Sequence, residues 1–168
     1  MANSFEGGEV KKLADLIKGI RIAMLTTLEA DGTLRSRPMA TQDEEFDGFL
    51  WFFTRDDSPK VSEATPHRHV NVTYSDPHNN KYVSVSGSAD LIRDKDKFKE
   101  LWRPTYAAWF ADGVDDPNIA LLKVSVNKAE YWTASGGPFA GILIAAKTAV
   151  GSKEKSFGEH EKLELASV

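Results

Sequence analysis

The sequence predicts a mostly β fold, an antiparallel sheet or barrel with flanking helices, and three observations carry that expectation. Short segments rich in β-branched and aromatic residues recur along the chain. Turn signals such as Asp31-Gly32 and Asp47-Gly48 fall between them. Helical spacing of apolar residues is confined to the start of the chain and to one stretch after Ile92. A length of 168 residues suits one domain with a substantial core. We place that domain at residues 9–150, after a loose N-terminus at 1–8 and before a polar C-terminal segment at 151–168.

Each element has its reason. From Glu9 to Lys18 the residues Val10, Leu13, Ala14 and Ile17 recur at helical spacing, and Gly19 marks the end. Ile22 to Leu28 reads as a strand, and Asp31-Gly32 turns it into a second over Leu34 to Thr41. Asp47-Gly48 precedes a third, Phe49 to Thr54. Ser58-Pro59-Lys60 opens a short helix. Val70 to Tyr74 and Tyr82 to Ile92 are two further strands, separated by the turn formers from Ser75 to Asn80. Asp94 to Phe110 is helical, with Phe98, Leu101, Trp102, Tyr106 and Trp109 near one stripe and Pro104 splitting it in two. Leu121 to Val126 and Ala129 to Trp132 form a last pair or one bent strand.

Composition removes several functions. Hydrophobic residues make up 41% and charged residues 27%, the balance of an ordinary globular chain. A formal charge of −4 without a long basic run speaks against general attraction to nucleic acid. The absence of cysteine removes disulfides, thiolate metal sites and cysteine nucleophiles, and suits a reducing cytoplasm. The start, MANSFEGGEV, lacks the features of a secretory signal, and the apolar runs at 49–53 and 142–146 are too short to span a bilayer. A soluble cytoplasmic protein is the expectation.

Three stretches could carry chemistry. In a strand, Arg35, Arg37, Met39 and Thr41 share one face. Two cations so placed repel unless water or an anion lies against them, so the pattern reads as a solvated face or as an anion site. Pro38 cannot donate to a ladder, which implies an edge, a bulge or a ligand nearby. The second stretch runs from the apolar Trp51-Phe52-Phe53-Thr54 into a helix with Ser58 as N-cap. Exposed N–H groups and the helix dipole make such a terminus a phosphate site, although a plain capped helix looks the same. Lys60 in the first turn opposes the dipole unless an anion compensates it. The third is Trp132, which reads as core or as a ligand contact. No stretch decides alone. All three agree on a ligand with a flat aromatic body and an anionic tail.

Other constellations carry less. His67 and His69 lack a carboxylate at ligand spacing, so no metal site is expected, and His78 and His160 stand in polar segments. Ser84, Ser86 and Ser88 form one polar strand face with no nucleophile elbow around them. Gly136-Gly137 lacks the strand-to-helix setting of a dinucleotide fingerprint.

The order of seven short motifs is informative. RSRPM (Arg35 to Met39), LWFFT (Leu50 to Thr54), SPK (Ser58 to Lys60), YVSVSGSADL (Tyr82 to Leu91), LW (Leu101-Trp102), DDPNIALLKV (Asp115 to Val124) and AEYW (Ala129 to Trp132) follow one another. This series resembles the general-stress-protein branch of the pyridoxamine 5′-phosphate oxidase superfamily, from about Leu13 to Trp132, with an echo at Phe157 to Lys162. The resemblance implies a six-stranded antiparallel split β-barrel that dimerises and holds flavin mononucleotide (FMN) between subunits. It implies that Arg37, Pro38, Met39, Ala40 and Thr41 line the flavin, with the arginine on the phosphate. Phe53 and Thr54 would contact the flavin, Ser58 and Lys60 the phosphate, and Trp132 the flavin of the other subunit.

The departures bear on activity. Pyridoxamine phosphate oxidases carry a lysine where this chain has Gln42, and an arginine-and-histidine motif after the tryptophan, where this chain reads Thr133 to Phe139 without a cation. A phosphorylated substrate would lose its counter-charges, so oxidation of vitamin B6 phosphates is not expected. The leading expectation is an FMN-dependent oxidoreductase of unknown small-molecule substrate, with no assigned catalytic side chain. The alternatives are a non-catalytic flavin-binding or sensing stress protein, and a haem-binding split barrel with His67, His69 or His78 as iron ligand.

Overall fold

The computed structural model describes residues 7–42, 44–57, 69–134 and 159–164. Helix α1 (Gly7–Ile17) is followed by strands β1 (Ile22–Leu28), β2 (Leu34–Ala40), β3 (Phe49–Arg55), β4 (His69–Asp76) and β5 (Lys81–Ile92). Helix α2 (Lys95–Leu101) and 3₁₀ turns at Pro104–Ala108 and Gly113–Asp115 come next, then β6 (Ile119–Thr133) and β7 (Glu159–Glu164). The strands form one antiparallel sheet in the order β2-β1-β4-β5-β6-β3, with β7 on β6. β2 and β3, the two ends of that path, approach each other without pairing. The expected split barrel is therefore present and open, and a seventh strand joins the predicted frame.

Local chemistry explains the turns. Between β1 and β2 the Asp31 carboxylate accepts from the Thr33 N–H at 2.9 Å, and Gly32 adopts φ +86°, a left-handed conformation favouring glycine. Asp76 caps the 3₁₀ turn between β4 and β5 by accepting from the Asn79 N–H. Asp94 caps α2 by accepting from the Asp96 and Lys97 N–H groups. Pro104 does split the predicted helical region, but the second half is a 3₁₀ turn, after an extended Arg103.

The last apolar segments form one bent strand. The register between β5 and β6 jumps from Ser86–Lys128 to Gly87–Val126, leaving Asn127 as the extra residue of a bulge. β6 changes partner there on its other edge, from β3 (up to Ser125) to β7 (from Lys128). β7 comes from the segment read as a polar tail. Its sequence, Glu159 to Glu164, has one apolar residue, Leu163, and that one is buried.

The core has two parts on opposite faces of the sheet. Inside the barrel, Leu25, Phe52, Val72, Val85, Leu122, Val124 and Tyr131 pack with Leu13 and Leu16 of α1. Outside, Phe98 and Leu101 of α2, with Tyr106 and Phe110, cover Ile119 and Leu121, and Phe53, Trp51 and Ala40 pack against them. Burial on both faces accounts for the unbroken apolar run of β3. Among the described residues, no helix is long and apolar enough to cross a membrane.

Candidate functional site

The site expected from the sequence divides among three places. The first is β2. Among the described residues it is an end strand paired with β1 alone, which suits Pro38, since a residue without an N–H fits an edge. Register with β1 sets the faces. Met39, opposite Ala23, is buried in the barrel core, and half-buried Arg37 lies on the same side, opposite Leu25. Pro38, opposite Met24, faces outward and is exposed, and half-buried Ala40 packs on the outer aromatic cluster. Thr41 is committed to the fold: its N–H donates to the Arg21 carbonyl at 2.9 Å and its Oγ1 to the Ile20 carbonyl at 2.6 Å.

The second place is the end of β3. Thr54 is 2% exposed and points inward, while Phe53 points out into the aromatic cluster. Its ring lies 5.0 Å from Tyr106 and 5.8 Å from Trp102, centre to centre, distances at which such pairs attract. β2 and β3 approach each other at the split, where Ala40 and Phe53 pack in the same outer cluster. Ser58 and Lys60 lie outside the described residues.

The third place is remote. Trp132 stands on β6 between Tyr82 of β5 and the His160 position of β7, and is 37% exposed beside an exposed Tyr82. Phe53 pairs with Leu121 on the same strand. Eleven residues separate Leu121 from Trp132, on the order of 35 Å of strand. Register across the sheet aligns the neighbouring Tyr131 with Met39 of β2 through Val83, Tyr74 and Ala23, four strand spacings or about 19 Å away.

Two interactions were not legible in the sequence. The Tyr106 hydroxyl donates to Gln42 Oε1 at 3.0 Å, tying the chain beyond β2 to the outer turn. Tyr106 belongs to the predicted aromatic stripe, but no local pattern names a partner so far away. Beyond β3, Asp56 accepts from Arg93 Nη2 at 2.8 Å and Nε at 3.1 Å, and its N–H donates to the Asn118 carbonyl at 2.9 Å. This fork holds the strand end against the start of α2.

A cleft of about 1090 Å³ opens between α1, residues 41–42, 44–47 and 49–52, and Tyr74. It meets the expected site at Thr41 and Gln42, and its rim carries Lys11, Lys18, Glu44, Glu45 and Asp47. Burial pushes the Tyr74 phenol well above its ordinary value, so that group is neutral. No cluster of three or more potential metal ligands occurs among the described residues.

An open antiparallel barrel whose end strands carry an arginine, an edge proline and a buried threonine defines a split-barrel protein with its candidate site in the split. The match to a family model, pyridoxamine 5′-phosphate oxidase like, covers residues 8–156, and the chain belongs to that family. Protein bli-3 of Neurospora crassa is 27% identical over 169 residues, 91% of this chain and 81% of that protein. The general stress FMN/FAD binding protein of Xanthomonas citri is 30% identical, with a TM-score of 0.66 over 78% of this chain and 92% of that one. A putative general stress protein 26 from Jannaschia is 22% identical with a TM-score of 0.72, covering 94% and 98% of the two chains.

Proposed function

We propose that this protein is an FMN-binding flavoprotein of the general stress type that works as a homodimer and passes electrons between small molecules. The observation that supports the reading is the open split between β2 and β3, where Ala40 and Phe53 pack together, in a chain 30% identical to a protein described as binding FMN or FAD. The donor set suits a flavin. An end strand offers unladdered backbone N–H and C=O groups to the polar edge of the ring system, and Arg37 offers a cation to a phosphate. FMN, when bound, supplies the electron chemistry. The protein's part is to orient the ring by β2 and β3, hold the phosphate with Arg37, Ser58 and Lys60, and cover the ring with Trp132 from a second copy. No side chain is assigned an acid or base role.

The test begins with the visible spectrum of the purified protein and its titration with FMN. Charge-assisted hydrogen bonds contribute roughly 1.5–3 kcal/mol each, so Lys60→Ala should weaken FMN about ten- to a hundred-fold. Riboflavin, which lacks the phosphate, should scarcely respond. Equal losses for both ligands would remove the phosphate assignment, and a colourless protein indifferent to FMN would remove the cofactor. Turnover of NADH or NADPH onto an acceptor separates an oxidoreductase from a non-catalytic binder.

A further inference from the structure

β7 falls outside the family match over residues 8–156, yet it is built into the sheet beside Trp132. β3 leaves the edge of β6 at Ser125, and β7 takes that edge from Lys128 to Thr133. Without β7 this stretch would keep its β5 ladder on one side and an open edge on the other. Three contacts fix it. Leu163, opposite Ala129, is buried in the barrel core. The hydroxyl of Tyr131, a fully buried residue, donates to Glu161 Oε2 at 2.9 Å. The Lys12 ammonium of α1 lies 5.1 Å from the centre of the Tyr131 ring, tying the same residue to the helix.

Tyr131 and Trp132 are consecutive on a strand, so they point to opposite faces from one shared peptide. Fixing the buried Tyr131 through the exposed Glu161 sets the backbone from which Trp132 projects on the other face. A ligand contact keeps its geometry within about 0.5 Å only when residues behind it are themselves held. We propose that β7 is the positioning element of Trp132, acting through the Glu161–Tyr131 hydrogen bond, and that Glu161 and Tyr131 are positioning residues for the cofactor site. This rests on the reading that Trp132 covers the flavin of a second copy. In this reading neither positioning residue touches the cofactor.

The experiment uses the full chain labelled with 5-fluorotryptophan, whose four tryptophans give separable ¹⁹F resonances, that of Trp132 assigned with Trp132→Phe. Glu161→Ala and Tyr131→Phe should move or broaden the Trp132 resonance and leave those of Trp51, Trp102 and Trp109 in place. Glu161→Gln, which keeps an acceptor, should restore it. In FMN titrations Glu161→Ala should weaken binding about three- to ten-fold, and should add no further loss in a Trp132→Ala background. An unmoved Trp132 resonance overturns the proposal, as does an equal FMN loss with and without Trp132. A Trp132 resonance that moves in a protein taking up no FMN would uphold the hold of β7 on Trp132 and refute the cofactor reading instead.

Discussion

Gly87→Ala is the sharpest perturbation of the frame that carries the site. Gly87 sits in the middle of β5, beside the bulge at Asn127, where a Cβ would run into the Ser125 carbonyl oxygen. The Val124 side chain stands 3.1 Å from the same point. The obstruction is backbone on a paired strand, so no side-chain rotation relieves it, and β5 and β6 must separate locally. Overpacking of this kind costs about 1–3 kcal/mol, and we expect the upper half of that range because the obstacle is rigid. At 2–4 °C per kcal/mol for a chain of this size, Tm should fall by roughly 4–12 °C, measured by circular dichroism at fixed protein concentration. Gly8→Ala is the control, since nothing lies within 4 Å of its added carbon. It should leave Tm level or slightly raised by helix propensity. If Gly87→Ala melts with the wild type, the close approach of β5 to β6 is wrong, and with it the bend that separates the two halves of β6.

Three further outcomes follow from named contacts. Tyr106→Phe removes the donor to Gln42 Oε1 and keeps the ring in its cluster, so thermal melting should show a loss of about 1 kcal/mol, or 2–4 °C; an unchanged Tm would mean that water replaces the bond at no cost. The raised phenol of Tyr74 favours the folded state while neutral. That contribution is intact below about pH 10, where an unfolded tyrosine ionises, and is lost as pH rises toward the higher folded value. Tyr74→Phe should therefore flatten the alkaline decline of the urea midpoint, and an identical decline would clear Tyr74 of a part in it. With neutral Gln42 in place of a lysine, chromatography should detect no pyridoxal 5′-phosphate formed from pyridoxamine 5′-phosphate above background; steady production would show that another cation holds the substrate.

How much of this the sequence revealed depends on whether the signal was local. Asp31-Gly32 and Asp94 act on residues two or three positions away, so both are readable, and the structure shows both. Pro38 implied an edge, a bulge or a nearby ligand, and β2 is an edge among the described strands. The order of β2 and β3 at opposite ends of the sheet was not readable from residues, because strand pairing is set by contacts distant in sequence. β7 escaped because Glu-His-Glu-Lys-Leu-Glu has a single apolar residue, too few for an alternation, and forms a strand by adding to an edge already present. Arg35 and Arg37 were read as one face, which holds, but that face turns toward the barrel. Arg35 escapes to solvent near the hairpin, beside Glu29, while Arg37, nearer the core, is half-buried.

The geometry of β6 presses the question of assembly. Phe53 fixes one end of that strand against the split, and Trp132 stands eleven residues further along it. The bulge at Asn127 bends the strand, and β5 stays paired with it on both sides of the bend. Measured along β6, Trp132 stands far from Phe53, while by register its neighbour Tyr131 is level with Met39 of β2. In the proposed dimer a second copy supplies Trp132 to the flavin; in the alternative a single chain holds the flavin alone. Exposed Trp132 and Tyr82 side by side favour the first, because paired aromatic rings in water are a common mark of a surface that another chain covers. Sedimentation of the FMN-loaded protein at micromolar concentration decides between the two. A dimer whose flavin binding weakens about ten-fold in Trp132→Ala is the expected result. A flavin-loaded monomer would leave β2 and β3 as the whole site.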